Sequence, residues 1–194
     1  PEKVLKPAVE KEMEQPLDSP QWLTVHYLER DLSRGILVGY YKSEEHLKWI
    51  LGNNDRGSLV YNVRLKLKED EARDGAHSAY FYEKQNIHFV ILYTDGAEET
   101  GKYRVFHVKD TASKVTEERM RNTWYPMETV EGDDDGAKRN YFFFRFDEEV
   151  NIGNIDIGRL LQDMRAEHLK KFQSYVPGEP MFTTAEKLME YRGK

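Results

Sequence analysis

From Ser58 to Lys68 apolar and polar residues alternate: Leu59, Tyr61, Val63, Leu65 and Leu67 fall on one side, Ser58, Asn62, Arg64, Lys66 and Lys68 on the other. A period of two predicts a strand with one buried and one wet face. Phe89–Tyr93 is a short, unbroken apolar run rich in β-branched and aromatic residues, as expected of a strand covered on both faces. The next arm alternates again, with Tyr103, Val105 and His107 opposed to Arg104, Phe106 and Val108. Between the arms, DGAEETGK offers Gly96 and Gly101 for a permissive backbone and acids for a wet tip. His88 to Asp110 is therefore predicted to be the central hairpin of a β-rich fold. Asn140–Phe146, NYFFFRF, holds four phenylalanines and reads as an interior strand. Trp22–Leu28, Gly35–Lys42 and Ala79–Glu83 are further β-prone runs.

Helical spacing takes over elsewhere. Ser43 is placed to cap a helix EEHLKWIL that has Glu44 and Glu45 in its first turn and stops at Gly52. Thr111–Thr123 predicts a short helix on a stripe of Val115 and Met120. Ile157, Leu160, Leu161, Met164, His168, Phe172 and Tyr175 recur at helical spacing behind an Asp156 cap, a helix of about five turns. A last helix, AEKLMEY, opens with Thr183 and Glu186 in a capping-box relation and ends at Gly193. Residues 1–20, proline-bearing and charged, are expected to form a flexible leader, 21–150 a β-rich core domain, and 151–194 C-terminal helices packed on that core. Strands followed by helices make this an α+β chain.

Composition narrows the function classes. The 194 residues contain no cysteine, so disulfides, thiol nucleophiles and thiolate metal sites are excluded. The net charge of −6 argues against unspecific, phosphate-driven binding along duplex DNA, while basic residues at 64–68, 119–121, 138–139 and 170–171 leave room for a local patch. No apolar run is long enough to cross a bilayer, and the first residues carry neither an apolar core nor a cleavage site, so a cytoplasmic location is expected. The chain begins with Pro rather than Met, as a processed form or a piece of a longer protein would.

Catalytic signatures are missing. The six histidines form no HxH or HExxH, no glycine loop reads as GxGxxG or GxxxxGK[ST], and GxSxG is absent. Asp95 followed by RVFHVK resembles the carboxylate and acid-x-Lys strand of PD-(D/E)XK nucleases, but the acid position holds His107, and imidazole cannot replace a Mg²⁺-binding carboxylate. Neither a metal nor a cofactor is expected. The His88 and His107 pair, on adjacent hairpin arms, is the one histidine constellation singled out. The aromatic inventory exceeds a small core's needs: Trp22, Trp49 and Trp124 stand with Tyr40, Tyr41, Tyr61, Tyr80, Tyr82, Tyr93, Tyr103 and Tyr125, several of them at strand ends or next to loops. Two readings stay open, core packing with hydroxyls reaching water and a ring-lined pocket suited to a flipped base or another planar ligand.

In order, Tyr61-Asn62-Val63-Arg64, Phe89–Tyr93, Gly101–Val108 and Tyr141–Phe146 resemble the PUA-like superfamily, the small barrel shared by EVE, ASCH and YTH modules. The resemblance covers about half of the chain. It departs from the family in having Tyr61 where a Trp is usual and in lacking the Gly-x-Lys motif of ASCH modules. It implies a small mixed β-barrel or strongly bent sheet flanked by helices, with Tyr61, Asn62 and Arg64 near a ligand cleft. It also implies recognition of RNA or of a modified base in DNA. The leading expectation is a non-catalytic nucleic-acid recognition module whose aromatic pocket, with Tyr93 and Trp124, is flanked by Arg64, Lys66, Arg104 and Arg139. The alternatives are a protein-protein interaction domain of a larger assembly, with a protein partner, and a hydrolase acting on a modified nucleoside.

Overall fold

A computed structural model describes residues 28–65, 79–113, 118, 121–128, 141–150, 152–172 and 180–193. In chain order they form β1 (Gly35–Tyr40), α1 (Glu44–Ile50), β2 (Val60–Arg64), α2 (Ala79–Lys84), β3 (Ile87–Tyr93), α3 (Ala97–Thr100), β4 (Tyr103–Ser113), β5 (Tyr141–Val150), α4 (Ile157–Phe172), β6 (Met181–Thr184) and α5 (Ala185–Met189). The six strands make one mixed sheet in the order β2-β5-β4-β3-β1-β6. β1 and β3 run parallel, and the other neighbours are antiparallel. The fold is α+β with a strongly bent sheet.

The predicted hairpin is β3 and β4, paired from Phe89↔His107 to Tyr93↔Tyr103. Its tip is a single turn of helix, α3, with Gly96 and Gly101 at its ends in the left-handed region, at φ 78° and 68°. Residues with a Cβ adopt that region at a steric cost, which is why glycine stands at both positions.

Alternation along the strands separates two cores. Leu37, Val90, Leu92, Phe106, Val108, Phe142, Phe144 and Tyr61 pack in one cluster, whereas Ile36, Val38, Phe89, Ile91 and Val105 pack in another with Ile157, Leu160 and Leu161 of α4 and Leu188 of α5. The first lines the inner, concave face. Its curvature is measured by one residue. β2 and β1 are four strand spacings apart, about 19 Å in a flat sheet. Yet the Tyr61 hydroxyl on β2 donates to the Tyr40 carbonyl on β1 at 2.9 Å, and the Tyr61 ring lies where a Cβ on Gly39 would be, 2.7 Å away. The sheet is therefore curled into a half-barrel whose far sides meet through Tyr61.

Several expectations need correction. Ala79–Glu83 is a helix, not a strand: α2 turns Tyr82 fully inward while Tyr80 stays 73% exposed. Tyr82 stacks on Phe142 at 5.5 Å, and Phe81 meets Phe182 edge-on. Burial against β5 and β6 thus overrides the β-propensity of these rings. β4 continues through Ser113 rather than stopping at Asp110, so the expected helix cannot begin at Thr111; residues 114–117, 119 and 120 lie outside the described part. β6 was not expected at all, because four residues beside a helix carry little periodicity; it pairs with the edge of β1. The last helix is capped by Thr184 rather than Thr183, with the Lys187 amide donating to the Thr184 hydroxyl at 3.2 Å. Residues 22–27, the leader, Lys66–Lys68 and Tyr175 lie outside the described residues. Among those described, no helix is long and apolar enough to cross a membrane.

Candidate functional site

β5 outruns β2. Their pairing ends at Val60↔Arg145 and the bond from the Phe146 amide to the Leu59 carbonyl, after which Asp147–Val150 continue beside β4. Register along β4 and β5 breaks twice here. Between Phe106 and Val108 the one residue His107 stands against two on β5, Asp147 and Glu148; between Val108 and Asp110 the extra residue is Lys109 on β4. Bulges of this kind re-aim side chains and deepen local twist. The first sets His107 Nδ1 2.9 and 3.0 Å from the two Asp147 carboxylate oxygens. The second turns Asp110 to the outer face, where it forms a forked ion pair with Arg145.

Past the first bulge, Glu149 is paired with Phe106 and shares the inner face with Arg104 and Phe106. Arg104 donates Nε–H and Nη2–H to the two oxygens of Glu149 at 2.8 and 2.7 Å, fork to fork. Its guanidinium carbon lies 5.5 Å from the centre of the Phe106 ring, which stacks on Phe146 at 4.9 Å. Arg104 is held still more firmly protonated by its hydrogen bond to Glu149, against the opposing effect of burial, and then by the charge of Glu149. The Tyr41 hydroxyl nearby is pushed up by burial and by Glu44, while Arg104 acts the other way. The two side chains of the pair are 36% and 44% exposed. At that exposure water screens the pair, which the forked geometry keeps near the upper end of the range for surface ion pairs, about 1 kcal/mol, a cost that a well-matched ligand can offset.

Arg104 and Glu149 stand on the wall of an open groove of about 830 Å³, bounded by Leu51, Leu59, Tyr103 and Phe106. Its size is within the range of small-molecule sites, roughly 300–1,000 Å³. Three carboxylates, Asp147, Glu148 and Glu149, line it against one guanidinium, Arg104. That balance disfavours a phosphate backbone inside the groove and suits a neutral ring bearing N–H donors.

The residues predicted from sequence divide between the two faces. Tyr61 and Arg104 belong to the concave face, with Tyr61 only 3% exposed. His46 stacks against the Tyr61 ring, with centroids 6.5 Å apart. Asn62 and Arg64 pair with Phe143 and Tyr141 on the outer side of β2 and β5, the side Trp124 covers. There the Arg145 guanidinium lies 5.0 Å from the Trp124 ring. A strap holds Trp124 in place: Ser58 Oγ donates to the Trp124 carbonyl and Arg56 Nε to the Tyr125 carbonyl. Tyr93 is fully buried in the outer-face core, edge-on to Tyr40. The six residues therefore do not form one pocket, and Lys66 and Arg139 lie outside the described residues. His88 and His107 are close enough for His107 to help lower the His88 pKa, after burial and Arg34. Among the described residues no group of three His, Asp or Glu is arranged to hold a metal.

Glu149, Asp147 and Phe106 line the groove without any sequence motif that marks them as site residues. The acids of FDEEV follow directly on the aromatic strand, but pairing Glu149 with Arg104 requires the bulge, which alternation does not reveal. Comparison with known proteins finds no matching family model, no matching curated protein and no matching solved structure.

Proposed function

We propose that the protein is a non-catalytic nucleic-acid recognition module that takes one exposed base of a single strand into the groove beside Arg104 and Glu149. The observation that carries the reading is the half-exposed fork-to-fork pair on the wall of an open groove with ample room for a base. Donors and acceptors lie side by side there, over apolar side chains, as the edge and faces of a base require. An acidic groove within a chain of net charge −6 favours an unstacked base over duplex phosphates.

Titration of the purified chain at low salt against single-stranded RNA, single-stranded DNA and duplexes, with and without modified bases, tests the reading. Saturable binding to a single strand, stronger than to plain duplex and weakened in Arg104→Ala, is expected. No saturable binding to any of them contradicts it and leaves the interaction domain as the better account.

A further inference from the structure

Arg104 offers Glu149 two parallel N–H donors carried on one planar CN₃ unit, at 2.8 and 2.7 Å. Guanine carries the same arrangement on its Watson–Crick edge, where N1–H and the N2 amino group project side by side from a guanidine-like unit. No other common base does: adenine and cytosine set an amino donor beside a ring acceptor, which a carboxylate repels, and uracil sets its single N–H between two carbonyls. We infer that the groove selects a 2-amino-6-oxopurine edge, with Glu149 exchanging its Arg104 fork for the N1–H and N2–H of a guanine-type base. This inference rests on the base-recognition reading above and adds the identity of the base.

The neighbouring acids do not offer the same receptor. Asp147 is engaged by His107 and by the Glu148 amide at 2.9 Å, and Glu148 lies within the bulge. Glu149 is the carboxylate that stands on the concave face beside Phe106 with both oxygens already aligned for a two-donor partner. Opening the pair disrupts only a half-exposed contact. The freed guanidinium is then positioned to donate to O6 of the same base, since Arg104 and Glu149 are neighbours on one face.

The test uses the full chain and single-stranded oligonucleotides identical except for one central base, read by fluorescence anisotropy at low salt. Inosine is the decisive comparison, because it differs from guanosine only by lacking the N2 amino group. The guanine strand is expected to bind at least about tenfold tighter than the inosine and adenine strands. Glu149→Gln should bring the guanine strand down toward the inosine level. Equal binding of guanine and inosine strands by the unmodified chain overturns the inference while leaving base recognition standing. A guanine preference that survives in Glu149→Gln overturns the role of Glu149. Absence of binding to every strand overturns both readings.

Discussion

Tyr61 is the residue on which the curvature turns, and Gly39 is its counterpart. A methyl group at Gly39 would lie 2.7 Å from the Tyr61 ring, so Gly39→Ala should destabilise by about 1–3 kcal/mol through overpacking. The effect should be coupled: in a urea-titration cycle, Gly39→Ala combined with Tyr61→Leu should cost less than the sum of the two single changes. Strict additivity would mean that the ring does not rest on Gly39. His46, stacked on the same ring, is held down to a pKa of about 4, first by burial and then by the charge of Lys42. Its Nδ1 accepts from the Lys42 amide at 3.3 Å, which requires the neutral ring. Above pH 6.5 the imidazole is neutral folded and unfolded, and its contribution is intact. As pH falls from 6.5 to 4 the unfolded chain takes up a proton that the native state refuses, so stability declines by up to about 3 kcal/mol and then levels off. Comparing urea midpoints of the parent and His46→Gln at pH 7 and pH 4.5 checks this, and an NMR titration placing His46 near 6.5 would contradict it. Tyr61 was legible as a residue of interest from its motif. Its contact with β1 was not, because periodicity shows which residues share a face and not which way the sheet bends.

At the scale of elements, agreement follows the length and strength of the pattern. The hairpin, β5, α1 and α4 were readable because apolar spacing, caps and glycines pointed the same way in each. α2 and β6 were not, since their state depends on partners distant in sequence, Phe142 for one and β1 for the other. The position of the last cap gives a direct check. Thr184→Ala should cost about 1 kcal/mol in thermal or urea unfolding, by losing the hydroxyl that accepts from Lys187, and the loss of that cap should not accompany Thr183→Ala. Equal costs would return the cap to Thr183. Phe144 is fully buried on the concave side of β5, where Tyr82 meets it edge-on, and Phe144→Ala should cost about 3–5 kcal/mol. A near-neutral result would place β5 at an edge rather than between β2 and β4.

Across the whole molecule, curl and bulge act together. The curl brings β2 against β1 and fills the concave interior with rings, and the register break between Phe106 and Val108 aligns Glu149 with Arg104. The interior is a packed core, and the groove beside Arg104 and Glu149 offers a ligand room. The opposite face, with Trp124 over Arg145, is the competing surface, held by its own strap of hydrogen bonds. Amide chemical-shift mapping on titration with a short guanine-containing single strand separates the two. The base-recognition account predicts perturbations concentrated at Tyr103–Phe106 and Asp147–Val150, with residues around Trp124 and Arg145 unaffected. Perturbations centred on Trp124 and Arg145, or none at either place, would contradict it.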